Sequence, residues 1–411
     1  LKAVVLAGGY GMRLQPLVLR TPKVLLPVAG KPTIQYLFEM LKSVGVHEII
    51  VSLNHNQCEV EEYFGNGEKL GVSIKYFYEK SAGEKDKPGA IGAIKEVVEK
   101  NSIAEDCLIV GGDNFAYGLD LKKMVEFHKK SKSIATIGLY YLQDRSLVEL
   151  YGIAVTNAES RITKFQEKPR VEYAASQLAS TAIYYLSAEF LKKYLGEYIA
   201  EKKAKGERPD RPGDLWQHFA EKIPIYGFVF QGIWGDSNSA QSYVELNKQA
   251  MNLIVGTARK HEKAIVGGEI VLGENVEVSE GAVLKGPVII EDDCVIGNSV
   301  IGPYTHLMHG TKVGDGSVVS GSILFEDVQV GSHCVLQDCI VDGHAFVGNN
   351  SRIEDYSVIG FKARVGNNAR IFSRSRIWPF VEVNDEAVVE GLISISTEHV
   401  KKELQESCFW K

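Results

Sequence analysis

The sequence predicts two architectures in one chain: an α/β domain built on a mostly parallel sheet, then a parallel β-helix of hexapeptide repeats. Three observations predict them. An aliphatic residue recurs at every sixth position through much of the C-terminal part. Short apolar runs alternate with helix-spaced segments through the N-terminal part. Two glycine-rich loops, Gly8–Arg13 and Gly111–Asn114, each follow such an apolar run. At 411 residues the chain is long enough for two or three domains.

Val347, Ile353, Ile359, Val365, Ile371, Ile377, Val383 and Val389 keep an unbroken six-residue period. Two places before each hit after the first stands a mostly small residue: Ser351, Ser357, Ala363, Ala369, Ser375, Val381 and Ala387. The same period runs through Leu272, Val278, Leu284, Ile290 and Ile296, and again through Ile301, Leu307, Val313 and Val319. Such a period fits neither the turn of an α-helix nor the alternation of a single strand. It fits short strands stacked around a prism, with one aliphatic per face pointing inward and a small residue where the chain turns. Three hexapeptides per coil give about seven coils across Val266–Leu392. The pattern resembles the left-handed β-helix domains of acyltransferases and of some sugar nucleotidyltransferases.

The N-terminal part has other periods. Lys2–Leu6 is an apolar run bounded by Gly, as a buried strand requires. Ile34, Leu37, Phe38, Leu41 and Val44 recur at helical spacing, with Pro32 before them and Gly45 after. Ile49–Leu53 reads as a strand, Ile91–Lys100 as a helix and Cys107–Val110 as a strand. Ser239–Val255 reads as a final helix, and Gly256–Lys263 as a connection. The alternation predicts a Rossmann-like, mostly parallel sheet with helices on both faces. Sheets of that class bind ligands beyond the carboxyl ends of their strands, where both glycine-rich loops fall. The domains are expected at 1–255 (α/β), 256–264 (linker), 265–392 (β-helix) and 393–411 (tail). The open ends of a β-helix are edges that need covering. A homo-oligomer formed through the β-helix is therefore expected, with Glu390–Lys411 and its Phe409-Trp410 packing on such a face.

Composition narrows the function. The net charge of −6 argues against a nucleic-acid partner but leaves room for a local basic pocket. Cys58, Cys107, Cys294, Cys334, Cys339 and Cys408 form no C-x-x-C pair, so free thiols in a reducing, cytoplasmic setting are expected. No run of about 18 apolar residues exists to span a membrane. Lys2–Ala7 is too short for a signal-peptide core, and Leu1 stands where an initiator Met is expected upstream. The ten histidines are scattered, and no Ser/His/Asp or Cys/His set is in view.

The chemistry-bearing block is Leu6-Ala7-Gly8-Gly9-Tyr10-Gly11-Met12-Arg13-Leu14, followed by Thr21-Pro22-Lys23. It is neither a dinucleotide fingerprint nor a P-loop. Its glycines still let backbone N–H groups approach a phosphate chain without interference from Cβ atoms. Arg13 can fork onto phosphate oxygens, and Lys23 adds a point charge.

With Pro16-Leu17, Leu25, Pro27-Val28 and Lys31-Pro32, this block resembles the signature of sugar-1-phosphate nucleotidyltransferases. That family carries an NTP-binding α/β domain and often a C-terminal left-handed β-helix. The resemblance implies transfer of a nucleotidyl group from an NTP to a sugar 1-phosphate, with release of pyrophosphate and use of Mg²⁺. It implies nucleotide contacts from Leu6, Ala7, Gly8, Gly9, Gly11, Met12, Arg13, Glu79, Gly89 and Asp113. Gly112-Asp113-Asn114 and Trp234-Gly235-Asp236 resemble the family's two metal motifs, which makes Asp113 and Asp236 the implied Mg²⁺ ligands. Glu167-Lys168-Pro169 resembles its E-K-P. The resemblance thus implies sugar-phosphate contacts from Gly152, Glu167, Lys168 and Ser180, and a catalytic set of Arg13, Lys23, Asp113, Lys168 and Asp236.

Some segments depart from the family pattern. L-G-T-A-G reads Pro88-Gly89-Ala90-Ile91-Gly92, after an unusually charged Lys80–Lys87. N-x-G-I-Y reads Ser180-Thr181-Ala182-Ile183-Tyr184, and the Gly-Thr after W-x-D reads Asn238-Ser239. Glu79 lies where relatives place a Gln or Glu at the base edge. A carboxylate accepts two N–H donors, which guanine presents, so GTP with mannose 1-phosphate is the expected pair. A surface acid at Glu79, with dTTP or UTP and glucose 1-phosphate, is the alternative. Two further readings are a bifunctional enzyme using His306, His309, His333 or His344 for acetyl transfer, and a non-catalytic regulatory subunit.

Overall fold

The computed structural model describes residues 1–80, 89–253 and 265–407. Pro88, most of the charged Lys80–Lys87 stretch, the 256–264 linker and Phe409-Trp410 lie outside the described residues. The chain forms two compact units: Leu1–Tyr10 with Pro32–Gly235, and Gly11–Lys31 with Asp236–Lys411.

A nine-stranded sheet organises the first unit. Lys2–Leu6 lies parallel between Glu48–Leu53 and Cys107–Gly111, and Ser73–Tyr78 continues the parallel half. Ala3, Val4 and Val5 are fully buried, as a strand covered on both faces requires. The helix Thr33–Ser43 buries Ile34, Leu37, Phe38 and Leu41, and Gly89–Lys100 buries Ile91, Ile94, Val97 and Val98. The other half of the sheet is largely antiparallel, which makes the sheet mixed. Leu178–Leu186 runs against Cys107–Gly111, Ala135–Tyr141 and Gly152–Thr156, and Gly152–Thr156 runs against Ile162–Glu167. The short Asn157–Arg161 connection fixes that last pairing, because a parallel neighbour needs a crossover of about a dozen residues or more.

The second unit is built on the left-handed β-helix. Three all-parallel sheets of eight, eight and seven strands form its faces. The residues from Val347 to Ile377 in the six-residue series are 0% exposed, and Val383 and Val389 are nearly so. Each stands over its counterpart one coil on: Ile353 over Ile371, Ile371 over Val389. The small residues up to Val381 are buried too and Ala387 is partly buried, while Ser351 and Ser357 donate to Gly366 O at 2.7 Å and Phe372 O at 2.8 Å. Where the aliphatic period slips, as between Ile296 and Ile301, one side of a coil is a residue shorter and the stacking survives: Leu284 still pairs Ile301. Asn350, Tyr356, Lys362, Asn368, Arg374, Phe380 and Glu386 all take positive φ at the turns. The helix Ala240–Met251 opens on a Ser239–Ser242 capping box, and Thr397–Ser407 forms a helix in the tail.

Candidate active site

The first unit holds the strand-end glycines. Ala7 N donates to Ser52 O at 2.8 Å, which fixes the exit of the strand Lys2–Leu6. Two buried amides then turn the loop's carbonyls toward the protein. Asn54 Nδ2 donates to Gly8 O, and Gln57 Nε2 donates to Gly9 O, each at 3.1 Å. Gly9 is exposed, and a Cβ there would have nothing within 4 Å. A Cβ on Gly8 would lie 2.4 Å from Glu79 Oε1. Glu79 is therefore packed directly under the loop, only 5% exposed, with Ser52 Oγ donating to its Oε1 at 2.9 Å. The adjacent parallel strand Glu48–Leu53 supplies Ser52, Asn54 and Gln57 from its carboxyl end, and sequence reasoning missed all three. For Asn54 and Gln57 the one signal was a cluster of amides just after a strand, and Ser52, inside the strand, had none.

Gly112 N donates to Leu6 O at 2.8 Å, so the Asp113 loop lies beside the Leu6-Ala7-Gly8 turn. Asn114 is buried and accepts from Trp234 Nε1 at 3.0 Å. The Trp234 ring packs on Tyr151, whose carbonyl accepts from Lys168 N at 3.1 Å. Three motifs scattered in sequence, at 112–114, 234–235 and 167–169, thus meet in one unit. Gly89 has φ 69° and its Cβ would strike Asp210 at 2.2 Å, so this glycine is required by the chain around Asp210.

The residues that the resemblance assigns to the sugar phosphate lie around Glu167. It faces Gly152 across the ladder, and a Cβ on Gly152 or Gly213 would meet its Oε2 at 3.0 Å or 1.7 Å. The carboxylate runs between two glycines because neither offers a side chain. Burial pushes the Glu167 carboxyl above its ordinary value; Asp214 adds to the rise, and Lys168 and Arg211 oppose it. Lys168 is exposed on a backbone at φ 47°. Ser180 precedes a break in the ladder between Ser180 and Tyr184, where Ala182 takes φ 54°. Tyr184 is buried beneath this segment, and its burial raises the phenol's pKa while a hydrogen bond to Ser180 lowers it. The sequence reading gave Tyr184 no role.

The second unit holds Arg13, Lys23 and the carboxylate of Asp236. Gly11 has φ 62° and lies against Lys23, whose Cβ a side chain at Gly11 would meet at 3.4 Å. Lys23 is 6% exposed and its Nζ donates to Asn238 Oδ1. Asn238 N in turn donates to Asp236 Oδ1 at 3.2 Å. Lys23 and Asp236 are therefore joined through Asn238, one of the two residues that replace the family's Gly-Thr. Arg13 and Met12 are exposed on the turn Met12–Leu14. Among the described residues no group of three or more His, Cys, Asp or Glu is placed to hold a metal. Asp113 in the first unit and Asp236 in the second are each carboxylates, the donor type that suits a hard cation.

His306 is fully buried and its Nε2 lies 2.7 Å from Glu291 Oε1, which occupies that ring nitrogen. His333 and His344 stand at positive-φ turns of the coil. The five described cysteines, Cys58, Cys107, Cys294, Cys334 and Cys339, are free thiols. No described helix is long and apolar enough to cross a membrane.

The chain was compared with known proteins. The family described as nucleotidyl transferase matches residues 2–252, and the GMPPB C-terminal domain matches residues 284–393. A UTP–glucose-1-phosphate uridylyltransferase of Synechocystis is 30% identical over 78% of this chain and 82% of its own length. Mannose-1-phosphate guanylyltransferase 1 of Arabidopsis thaliana is 27% identical over 89% of this chain and 93% of its own. Among solved structures, a Bacillus anthracis protein assigned as a glucose-1-phosphate thymidylyltransferase, in complex with sucrose, matches with a TM-score of 0.53 at 26% identity. It covers 62% of this chain and 97% of its own.

Proposed function

This chain belongs to the nucleotidyl transferase family and is a sugar-1-phosphate nucleotidyltransferase, and from that premise we propose that it joins GTP to mannose 1-phosphate. The observation that carries the choice of base is the Glu79 carboxylate held under Gly8 by Ser52. A fixed carboxylate offers two acceptors to paired N–H donors, which guanine has and uracil or thymine lacks. Uridylyl or thymidylyl transfer to glucose 1-phosphate is the second reading, favoured by the name of the Synechocystis relative and by that of the Bacillus anthracis structure.

In the proposed reaction a sugar phosphate oxygen attacks the α-phosphorus in line. One P–O bond forms, the bond to the bridging β-phosphate oxygen breaks, and pyrophosphate leaves. The protein supplies position and charge rather than a nucleophile. The Leu6–Met12 segment offers backbone N–H groups to the phosphates, with Gly8, Gly9 and Gly11 admitting close approach. Arg13 and Lys23 stabilise charge as pyrophosphate forms. Gly89 borders the nucleoside. Lys168 binds the sugar phosphate, while Gly152, Glu167 and Ser180 receive the sugar. Asp113 and Asp236 would hold Mg²⁺, which supplies charge neutralisation at the phosphates when bound. The β-helix would join copies of the chain into a homo-oligomer, and the enzyme would work in the cytoplasm.

The test is pyrophosphate release with Mg²⁺ over GTP, dTTP, UTP, ATP and CTP against mannose, glucose and N-acetylglucosamine 1-phosphates. Release centred on GTP and mannose 1-phosphate, lost to other bases in Glu79→Gln, supports the assignment. Preference for UTP or dTTP with glucose 1-phosphate overturns it in favour of the second reading.

A further inference from the structure

The segment Gly11–Lys31 carries Arg13 and Lys23, and it belongs to the same compact unit as the β-helix. Arg20 stands between those two cations and reaches a built receptor on the coil. Its guanidinium lies 2.5 Å from Glu326 Oε1 and 3.3 Å from Asp342 Oδ1, and 4.7 Å over the Phe361 ring. The Asp342 side chain is 2% exposed and that of Arg20 is 15%. Glu326, Gly343 and Phe361 come from one corner of successive coils, since His344 N donates to Glu326 O and Lys362 N to Gly343 O. A Cβ on Gly343 would lie 2.4 Å from both the Arg20 guanidinium and Glu326 Oε1, so a side chain there would push against the docked arginine. The segment is also held at its far end. Tyr243 Oη donates to Pro27 O at 2.7 Å, and Asn247 Oδ1 accepts from Ala29 N at 3.0 Å. The helix bearing Tyr243 and Asn247 is itself fixed to the coil by Lys248–Asp338 and Tyr356–Glu245 contacts.

Resting on the function proposed above, we propose that Arg20 is a positioning residue for nucleotidyl transfer. Docked on the Glu326–Asp342–Phe361 cradle, it sets the segment that carries Arg13 and Lys23, and so makes the β-helix a determinant of turnover. A largely buried guanidinium held by two carboxylates, one of them partly exposed, and by an aromatic face is confined more closely than an exposed ion pair. Arg13 and Lys23 must meet charge that develops during reaction, where a misplacement near 1 Å costs about a hundredfold.

The test is steady-state kinetics of the full chain, varying each substrate in turn, for Arg20→Ala, Arg20→Lys and Gly343→Ala. Arg20→Ala is expected to lower kcat about tenfold or more and to raise KM for the NTP, with KM for the sugar phosphate little changed. Arg20→Lys should recover part of the loss, and Gly343→Ala, which removes no charge, should move the constants in the same direction. Hydrogen exchange at the Leu25 and Leu26 amides gives a readout independent of substrate, so an inactive wild type tests the function reading and not this one. Faster exchange in Gly343→Ala supports the tether. Wild-type constants in folded Arg20→Ala and Gly343→Ala, or unchanged exchange at those amides, overturn it.

Discussion

Replacing Gly8 and Gly9 by alanine, one at a time, separates two jobs that the loop does. At Gly8 the new methyl would stand 2.4 Å from Glu79 Oε1, 2.8 Å from its Cδ and 2.9 Å from Oε2. Relief requires the carboxylate to retreat by about 1 Å to ordinary contact. Glu79 is 5% exposed and bonded to Ser52, so it has little room to do so. Overpacking costs about 1–3 kcal/mol, and loss of a buried bond to a charged group about 1.5–3 kcal/mol. The two share one displacement, so Gly8→Ala is expected to lose roughly 2–4 kcal/mol of stability. At Gly9 nothing lies within 4 Å and φ is unremarkable. Gly9→Ala should therefore melt within about 0.5 kcal/mol of wild type. On the proposed function its methyl would stand on the open face offered to the phosphates, so KM for the NTP should rise about tenfold. Calorimetry and steady-state kinetics on both variants read the two effects. A wild-type melt for Gly8→Ala refutes the packing of Glu79 beneath the loop. An unchanged KM in Gly9→Ala refutes backbone approach to the phosphates.

Three further outcomes are expected. Ala182→Gly should raise stability by roughly 0.5–1 kcal/mol by thermal denaturation, because alanine at φ 54° is strained and glycine is not; a loss of stability contradicts this. Glu167→Gln should weaken sugar phosphate binding about tenfold. It should also abolish an acid limb in kcat/KM, since wild-type Glu167 protonates above the ordinary carboxylate range and loses its acceptors as pH falls. Burial pushes Asp342 up to about 6, although Arg20 pulls it down. The neutral acid is favoured in the fold, so its stabilising effect is full below the unfolded value near 4 and is lost as pH rises through about 6. Asp342→Asn should flatten the melting temperature across that window, and an unchanged slope contradicts the assignment.

The β-helix was legible because its signal is local. Stacking demands an inward aliphatic at every coil position, and Ile353, Ile371 and Val389 repeat it without help from distant residues. The one-residue slips broke the period into runs, yet Leu284 over Ile301 shows that the stack tolerates a shorter side. The positive-φ turns at Asn350, Lys362 and Phe380 were not legible, since no glycine marks them. The parallel half of the first sheet followed from its alternating elements, and the antiparallel half did not. In the site, glycines and charges were visible as motifs, but their supports were not. Asn54, Gln57 and Ser52 act on Gly8, Gly9 and Glu79 through strand adjacency, which only the fold creates. Asn238 read as a departure from pattern, and its contacts with Lys23 and Asp236 are made across more than two hundred residues of sequence in the first case. Arg20 belongs to no motif in the sequence, because its partners lie over three hundred residues away.

The central claim is direct transfer of a nucleotidyl group at a site that depends on the Asp113 carboxylate, and product stoichiometry tests it most directly. Wild type and Asp113→Asn would be incubated with Mg²⁺, each NTP and each sugar 1-phosphate, and pyrophosphate and nucleotide sugar quantified together by chromatography. The account predicts equal amounts of the two products from wild type and a loss of about a hundredfold or more in Asp113→Asn with the fold intact. Folded wild type that forms neither product from any pair, or Asp113→Asn that works as well as wild type, contradicts it.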